Sequence, residues 1–170
     1  MEGVFSRDGW HLYDTYMLSD CVKTKLVSDW QDLLRSRSIE MSRMKLFYDI
    51  SDFDQSISAQ PYINIRSRQK RSVLAKIRMG TLPIKIETGR YRSISEDQRI
   101  CDNCNLNEIE NEKHFVYHCT KHQNIRKIYL DHLIDGDNND VDNLKLIFSD
   151  FEKSKEFATY LIKGLDNRIK

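Results

Sequence analysis

R-I-C-D-N-C-N-L-N-E-I-E-N-E-K-H-F-V-Y-H-C, from Arg99 to Cys119, is the stretch around which the rest of the chain is organised. Cys101 and Cys104 stand two residues apart across a turn, and His114 and Cys119 return after an acidic spacer, giving C-x2-C-x9-H-x4-C. Four such donors suit one tetrahedral zinc ion, because thiolate and imidazole are the ligands this borderline-soft cation prefers. A two-residue gap turns both sulfurs toward one metal. The His-x4-Cys gap suits a helix start followed by about one and a half turns. Glu110, Asn111 and Glu112 read as the first turn of that helix, opposing its positive dipole end, with Phe115 and Val116 packed beneath the metal. The alternatives are free thiols beside unrelated polar residues, or a disulfide. Three of only four cysteines fall within nineteen residues beside a histidine at ligand spacing, which favours the metal. His118 and His122 flank Cys119 closely enough for either to replace His114 as the fourth ligand.

Outward from this stretch, 170 residues suffice for one domain with a real core. Two prolines and six glycines are few for a turn-rich all-β architecture, so a mainly α fold is expected, holding the Cys-Cys-His-Cys knuckle and at most a short β-hairpin. The expected division is a helical region with a basic segment over 1–100, the knuckle over 101–122 and C-terminal helices over 123–170, within one compact domain. No apolar run approaches the roughly 18 residues of a membrane span, and the N-terminus lacks the order of a signal peptide. An intracellular protein, nuclear or cytoplasmic, is expected, in agreement with thiols kept reduced for a metal.

Along the chain, residues 1–16 show no period and read as an irregular or partly helical arm. From Met17 the positions Leu18, Cys21, Val22, Leu26, Trp30, Leu33 and Leu34 recur at three and four, which predicts a helix with one buried face and Cys21 as a small buried hydrophobe. The region from Ser36 to Pro61 reads as extended, followed by a polar turn. A second helix is predicted from Ile65 to Met79, with Val73, Leu74 and Ile77 inward, stopped by Gly80 and Pro83. Leu82, Ile84 and Ile86 alternate with polar residues, so Thr81 to Tyr91 reads as extended and as the place for a hairpin. Ser95 and Gln98 have capping-box spacing. Helices follow at Gln123 to Ile134, Val141 to Ser149 and Glu152 to Asp166. The helix at 17–34 and the last two are expected to share a core with the helix at 65–79. The acidic loop Asp135 to Asp140 is not a calcium loop, since its sixth position is Asp140 instead of glycine and its twelfth is Leu146 instead of glutamate. It reads as a solvated linker that caps the next helix.

Charge is unevenly placed. Between Asn64 and Arg99 ten basic residues face three acidic ones, a surplus of +7, so with a total of +1 the remainder carries −6. Arginine on phosphate is a ready source of affinity, which makes Arg66, Arg68, Arg71, Arg78, Arg90, Arg92 and Arg99 the candidate contacts to RNA or DNA, with Tyr91 available to stack on a base. Three thiolates and a histidine would leave a zinc ion no open position, and no phosphate loop or nucleophile elbow is present, so neither catalysis nor a small-molecule substrate is expected.

The order of several elements resembles the region that follows the polymerase in non-LTR retrotransposon reverse transcriptases of invertebrates and fishes. These elements are L-A-K-I-R-M-G-T-L-P-I (Leu74 to Ile84), I-E-T-G-R-Y (Ile86 to Tyr91), the arginine before the first cysteine, and the finger with glutamates before its histidine. The resemblance covers roughly residues 40 to 135. It implies Cys101, Cys104, His114 and Cys119 as zinc ligands and a basic segment that touches template RNA or target DNA. It does not imply polymerase activity, because this chain has no Asp-Asp pair and no room for fingers and palm. The expectation is a detached or domesticated C-terminal piece, or a fragment of a degenerate element. A protein-interaction or scaffold domain in which zinc only staples the fold is the competing expectation.

Overall fold

The computed structural model describes residues 13–38, 46, 49 and 60–168. Among the described residues, α-helices with defined bounds run in the order α1 (Tyr13–Ser38), α2 (Arg68–Arg78), α3 (Lys85–Tyr91), α4 (Gln123–Tyr129), α5 (Asp140–Ser149) and α6 (Phe151–Arg168). Short turns at Pro61–Asn64, Glu96–Gln98, His114–His118 and Thr120–His122 join them. The fold is mainly helical. Among the described residues there is no sheet, and the pairing present is an antiparallel bridge between Ile100 and Ile109. Of the arm expected over residues 1–16, residues 13–16 belong to α1 and the rest lies outside the described residues. Of the segment expected to be extended between Ser36 and Pro61, residues 36–38 belong to α1, Leu46 and Asp49 are helical and most of the rest lies outside the described residues.

α6 is the central helix. Ser154, Phe157, Ala158, Leu161 and Gly164 recur at three and four and are buried, together with Tyr160, so this helix carries a wide apolar face. It packs against α2, α4, α5 and the turns at Pro61–Asn64 and Thr120–His122. Asp150 starts it, with its carboxylate accepting from the Lys153 N–H at 2.8 Å. α2 contributes Val73, Leu74 and Ile77, as its periodicity predicts, and α5 contributes Leu144, Ile147 and Phe148. Each fully buried Leu, Ile or Phe stabilises the fold by about 1.5–3 kcal/mol relative to exposure. α2 ends on Gly80, whose φ of 63° lets its N–H reach Ile77 while the Thr81 N–H closes on Lys76. The linker after Ile134 caps α5 through Asn139, which accepts from the N–H groups of Val141 and Asp142. Buried Asn143 ties that loop down, donating to the carbonyls of Asp135 and Asn138.

The structure corrects three expectations. Thr81 to Tyr91 is not a hairpin, because Lys85–Tyr91 is helical. Leu82, Ile84 and Ile86 are buried in alternation, but the last of them already sits in the first turn of α3. The cause is distant in sequence: the Lys85 N–H donates to the Glu110 carboxylate at 2.7 Å, and the Ile86 N–H to the Glu110 carbonyl at 3.0 Å. Two donors that a strand would have paired are thus satisfied as a helix start. Ser95 does begin a turn at Glu96–Gln98, yet makes no side-chain cap. α1 forms, but among the described side chains of its stripe Val22, Leu26, Trp30 and Leu33 are exposed, and Cys21 is exposed where a buried hydrophobe was expected. Periodicity identifies a face and not what covers it.

Candidate metal centre

The knuckle begins at the Ile100–Ile109 bridge. The Cys101 N–H donates to the Glu108 carbonyl at 2.9 Å and the Glu110 N–H to the Arg99 carbonyl at 2.9 Å, so residues 102–107 fold back as a loop. Asn107 closes it at φ 56°, a left-handed geometry that asparagine tolerates better than most residues. Cys101 is buried at the loop's base and Cys104 is half-buried on its turn.

His114 and Cys119 come from the next segment. Asn111 caps it, accepting the His114 N–H at 2.8 Å. In a regular α-helix, positions five apart point about 140° away from each other. The chain avoids this by widening the turn: the Cys119 N–H donates to the His114 carbonyl at 2.8 Å, a five-residue π closure in place of one and a half α-turns. The carbonyls freed by that register do not go unpaired. Tyr160 donates its hydroxyl to the carbonyls of Phe115 and Val116 at 3.1 and 2.8 Å, and Arg126 donates to those of Val116 and Cys119 at 2.8 and 3.0 Å. Phe115 and Val116 are fully buried beneath, with the Phe115 ring lying over Gly164 of α6.

The four donor atoms converge. Cys101 Sγ lies 3.9 Å from Cys119 Sγ, Cys104 Sγ lies 3.4 Å from His114 Nε2, and all four lie within 4.8 Å of one another. The sulfurs are free thiols, far beyond the ~2.05 Å of a disulfide. His114 Nδ1 meets the Glu108 carboxylate at 2.9 Å, which fixes the tautomer and leaves Nε2 facing the sulfurs. Burial pushes the Cys101 thiol up to about 12, with the Glu110 carboxylate and Cys119 adding to it, and burial raises Cys119 as well. Thiolates so placed lack a countercharge, and a bound cation would supply one. This Cys3His group could hold a metal ion.

Neither alternative histidine joins it. His118 is exposed and turns to Asp140 at 3.4 Å. His122 is fully buried against the Phe115 ring, and burial together with Arg126 and Arg168 pulls it down to about 4.

The seven arginines divide by environment. Arg66, Arg68 and Arg92 are exposed, and Arg71, Arg78 and Arg90 are half-buried. Arg71 donates to the carbonyls of Ile65 and Arg66, and Arg90 lies 3.6 Å from the buried Glu87 carboxylate. Arg99 leaves the contact set altogether. It is buried, and its guanidinium donates twice to the Ile94 carbonyl, at 3.0 and 2.7 Å, and once to that of Ile86 at 3.0 Å. Glu110 does not act as the dipole partner expected at a helix start. It is fully buried and joins the knuckle to two helices: Oε2 accepts from Lys85 of α3 and from Arg168 of α6, each at 2.7 Å, and Oε1 from Asn103 at 3.3 Å. The Asn111-to-His114 spacing was the legible cap signal in this segment.

Comparison with protein-family models, curated proteins and solved structures returned no match. What the fold and site define is a mainly helical chain carrying a largely buried Cys3His cluster.

Proposed function

We propose that this chain is a zinc-stabilised nucleic-acid-binding module without catalytic activity. The convergence of Cys101, Cys104, His114 and Cys119 carries the zinc half of the reading. A tetrahedron built on Zn–S bonds of about 2.3 Å and a Zn–N bond of about 2.0–2.1 Å has edges of about 3.8 Å between sulfurs and about 3.6 Å from sulfur to nitrogen. The 3.9 and 3.4 Å separations lie close to these two edges, and all four donors lie within 4.8 Å of one another. Four protein donors fill the coordination sphere, so the ion has a structural role and offers substrate no position.

The nucleic-acid half rests on the +7 surplus between Asn64 and Arg99. Arg66, Arg68, Lys76 and Arg92 are its exposed cations, and Tyr91, 74% exposed, is an aromatic face beside Arg92. Arg71, Arg78 and Arg90 remain as half-buried contributors. The retrotransposon-like motif order supports the same reading. The buried contact between Gly89 and Arg99 gives two of those motif elements a shared packing reason in this chain.

Elemental analysis should return one zinc per chain. Fluorescence anisotropy with single-stranded RNA, single-stranded DNA and duplex DNA should show micromolar binding at low salt that weakens steeply as salt rises. A native protein without bound metal sinks the first half of the proposal. Absence of low-salt binding to all three probes sinks the second. The exposed apolar stripe of α1 favours a second reading, a protein-interaction scaffold in which zinc is purely structural.

A further inference from the structure

We propose that α1 is the surface through which two copies of this chain associate, antiparallel about residue 28. Val22, Leu26, Trp30 and Leu33 are 52%, 62%, 42% and 50% exposed and are spaced four, four and three, so they share one face of the helix. Four large apolar side chains at these exposures make a patch on the order of a few hundred Å², the size at which an exposed apolar surface marks an interaction site.

The charges beside the stripe choose the occupant. Exposed Lys25, Asp29 and Asp32 are spaced four and three and form a row along one edge of it. When two helices pair antiparallel around a two-fold axis, like edges face each other, and the contact is self-complementary. Setting Leu26 against the partner's Trp30 and Val22 against the partner's Leu33 then places Lys25 opposite the partner's Asp29, with the partner's Asp32 within one turn. The two-fold repeats the same set on the second copy. Complementary edge charges are what fix partner and orientation in paired helices. Between Val22 and Leu33 the stripe is only about 16 Å long, which places the contact in the weak, concentration-dependent class. The proposal is independent of the nucleic-acid reading.

Sedimentation of the full metal-loaded chain over a wide concentration range tests it. The wild type should move from monomer toward dimer as concentration rises. Lys25→Glu should weaken association at least tenfold, and Leu26→Glu should abolish it. Mixing Lys25→Glu with an Asp29→Lys/Asp32→Lys variant should restore a heterodimer. Because all of these side chains are exposed, helix content and metal content should be unchanged, and far-UV circular dichroism with elemental analysis checks this. A chain that stays monomeric throughout overturns the proposal, as does association that survives Leu26→Glu. A mixture that fails to recover overturns the antiparallel arrangement. Binding of α1 to a different protein by a monomeric chain would assign the stripe to another partner and equally overturn it.

Discussion

Replacing Gly89 with alanine should destabilise this protein, although it lies in α3 and helix propensity alone argues the opposite. An alanine in place of a helical glycine ordinarily gains about 1 kcal/mol. Here a Cβ on residue 89 would stand 2.7 Å from Arg99 Cγ, 3.0 Å from Cδ and 3.2 Å from Nε. The arginine stem cannot swing aside, because its guanidinium is pinned by three hydrogen bonds to the carbonyls of Ile86 and Ile94. Overpacking of this kind costs about 1–3 kcal/mol, and weakening a charged hydrogen bond adds about 1.5 kcal/mol or more. Gly89→Ala should therefore lose roughly 1–2 kcal/mol net. Arg99→Ala alone should lose about 3 kcal/mol as three bonds to partly buried carbonyls disappear. With the arginine gone the new methyl group fits and the propensity gain returns. The double variant should then be more stable than Arg99→Ala, with a coupling energy of about 2 kcal/mol. Urea denaturation at saturating zinc, followed by circular dichroism, measures all four corners of the cycle. A stabilising Gly89→Ala, or strict additivity, would falsify the argument that Arg99 occupies the space a side chain at 89 would need. The same Arg99→Ala protein, if it binds nucleic acid, should keep the wild-type salt slope, whereas each lost phosphate contact would make the slope shallower by about one unit.

The remaining predictions concern the metal turn and its surroundings. Glu108→Ala removes the group that orients His114 and should lower zinc affinity about 10–100-fold in chelator competition; an unchanged affinity would show the contact at 2.9 Å to be idle. Tyr160→Phe leaves the Phe115 carbonyl without its donor while Arg126 still serves Val116, so a loss of about 1–3 kcal/mol is expected in denaturant, and a neutral result would contradict this accounting. His122 is a base whose folded value of about 4 lies below its unfolded 6.5, so the unfolded chain binds the extra proton. Its contribution to stability is intact above pH 6.5 and is lost as pH falls toward 4, by an order of 3 kcal/mol. His122→Leu should flatten that part of the stability curve and raise stability near pH 5, since both ring nitrogens are buried without hydrogen bonds. A curve of unchanged steepness between pH 6.5 and 4 would remove His122 as its source.

The Cys3His cluster was legible because a knuckle's geometry is local: the Cys-x2-Cys turn and the return of His114 and Cys119 follow from spacing. The widened turn between His114 and Cys119 was not legible, because it depends on partners that lie far along the chain. Tyr160 on α6 and Arg126 on α4 donate to the carbonyls that the π register releases, and Gly164 admits the Phe115 ring. The stripes of α2, α5 and α6 were readable from period alone: Val73, Leu74, Ile77, Leu144, Ile147, Phe148, Phe157 and Leu161 are buried, and Leu165 packs half-buried against them. The same pattern in α1 led to the opposite environment, because an amphipathic face states a need for cover and says nothing of its source. α3 was misread for a related reason: alternation at Leu82, Ile84 and Ile86 described burial correctly, while the choice between strand and helix was made by Glu110, twenty-five residues from Lys85 in the chain.

Glu110 also links the Cys3His cluster to the rest of the fold. Its carboxylate is fully buried, so its charge must be matched locally, and it is matched by the Arg168 guanidinium and by the Lys85 and Asn103 donors. The same carboxylate lies 3.7 Å from Cys101 Sγ. An ion drawn to the four donors would therefore order a loop that already carries the start of α3 and the end of α6. Binding free energy at the cluster would then be felt at both helices as stability. Glu110→Gln keeps the shape but removes the charge that Arg168 answers, leaving a half-buried guanidinium without its counterion, at a cost of about 3 kcal/mol. If Glu110 is this link, thermal unfolding of Glu110→Gln should fall for metal-loaded and chelator-treated protein alike, and the gap between the two should shrink. A variant that loses stability equally in both forms, with the zinc-dependent gap intact, would separate the buried ion pair from the metal and confine the knuckle's influence to its own loop.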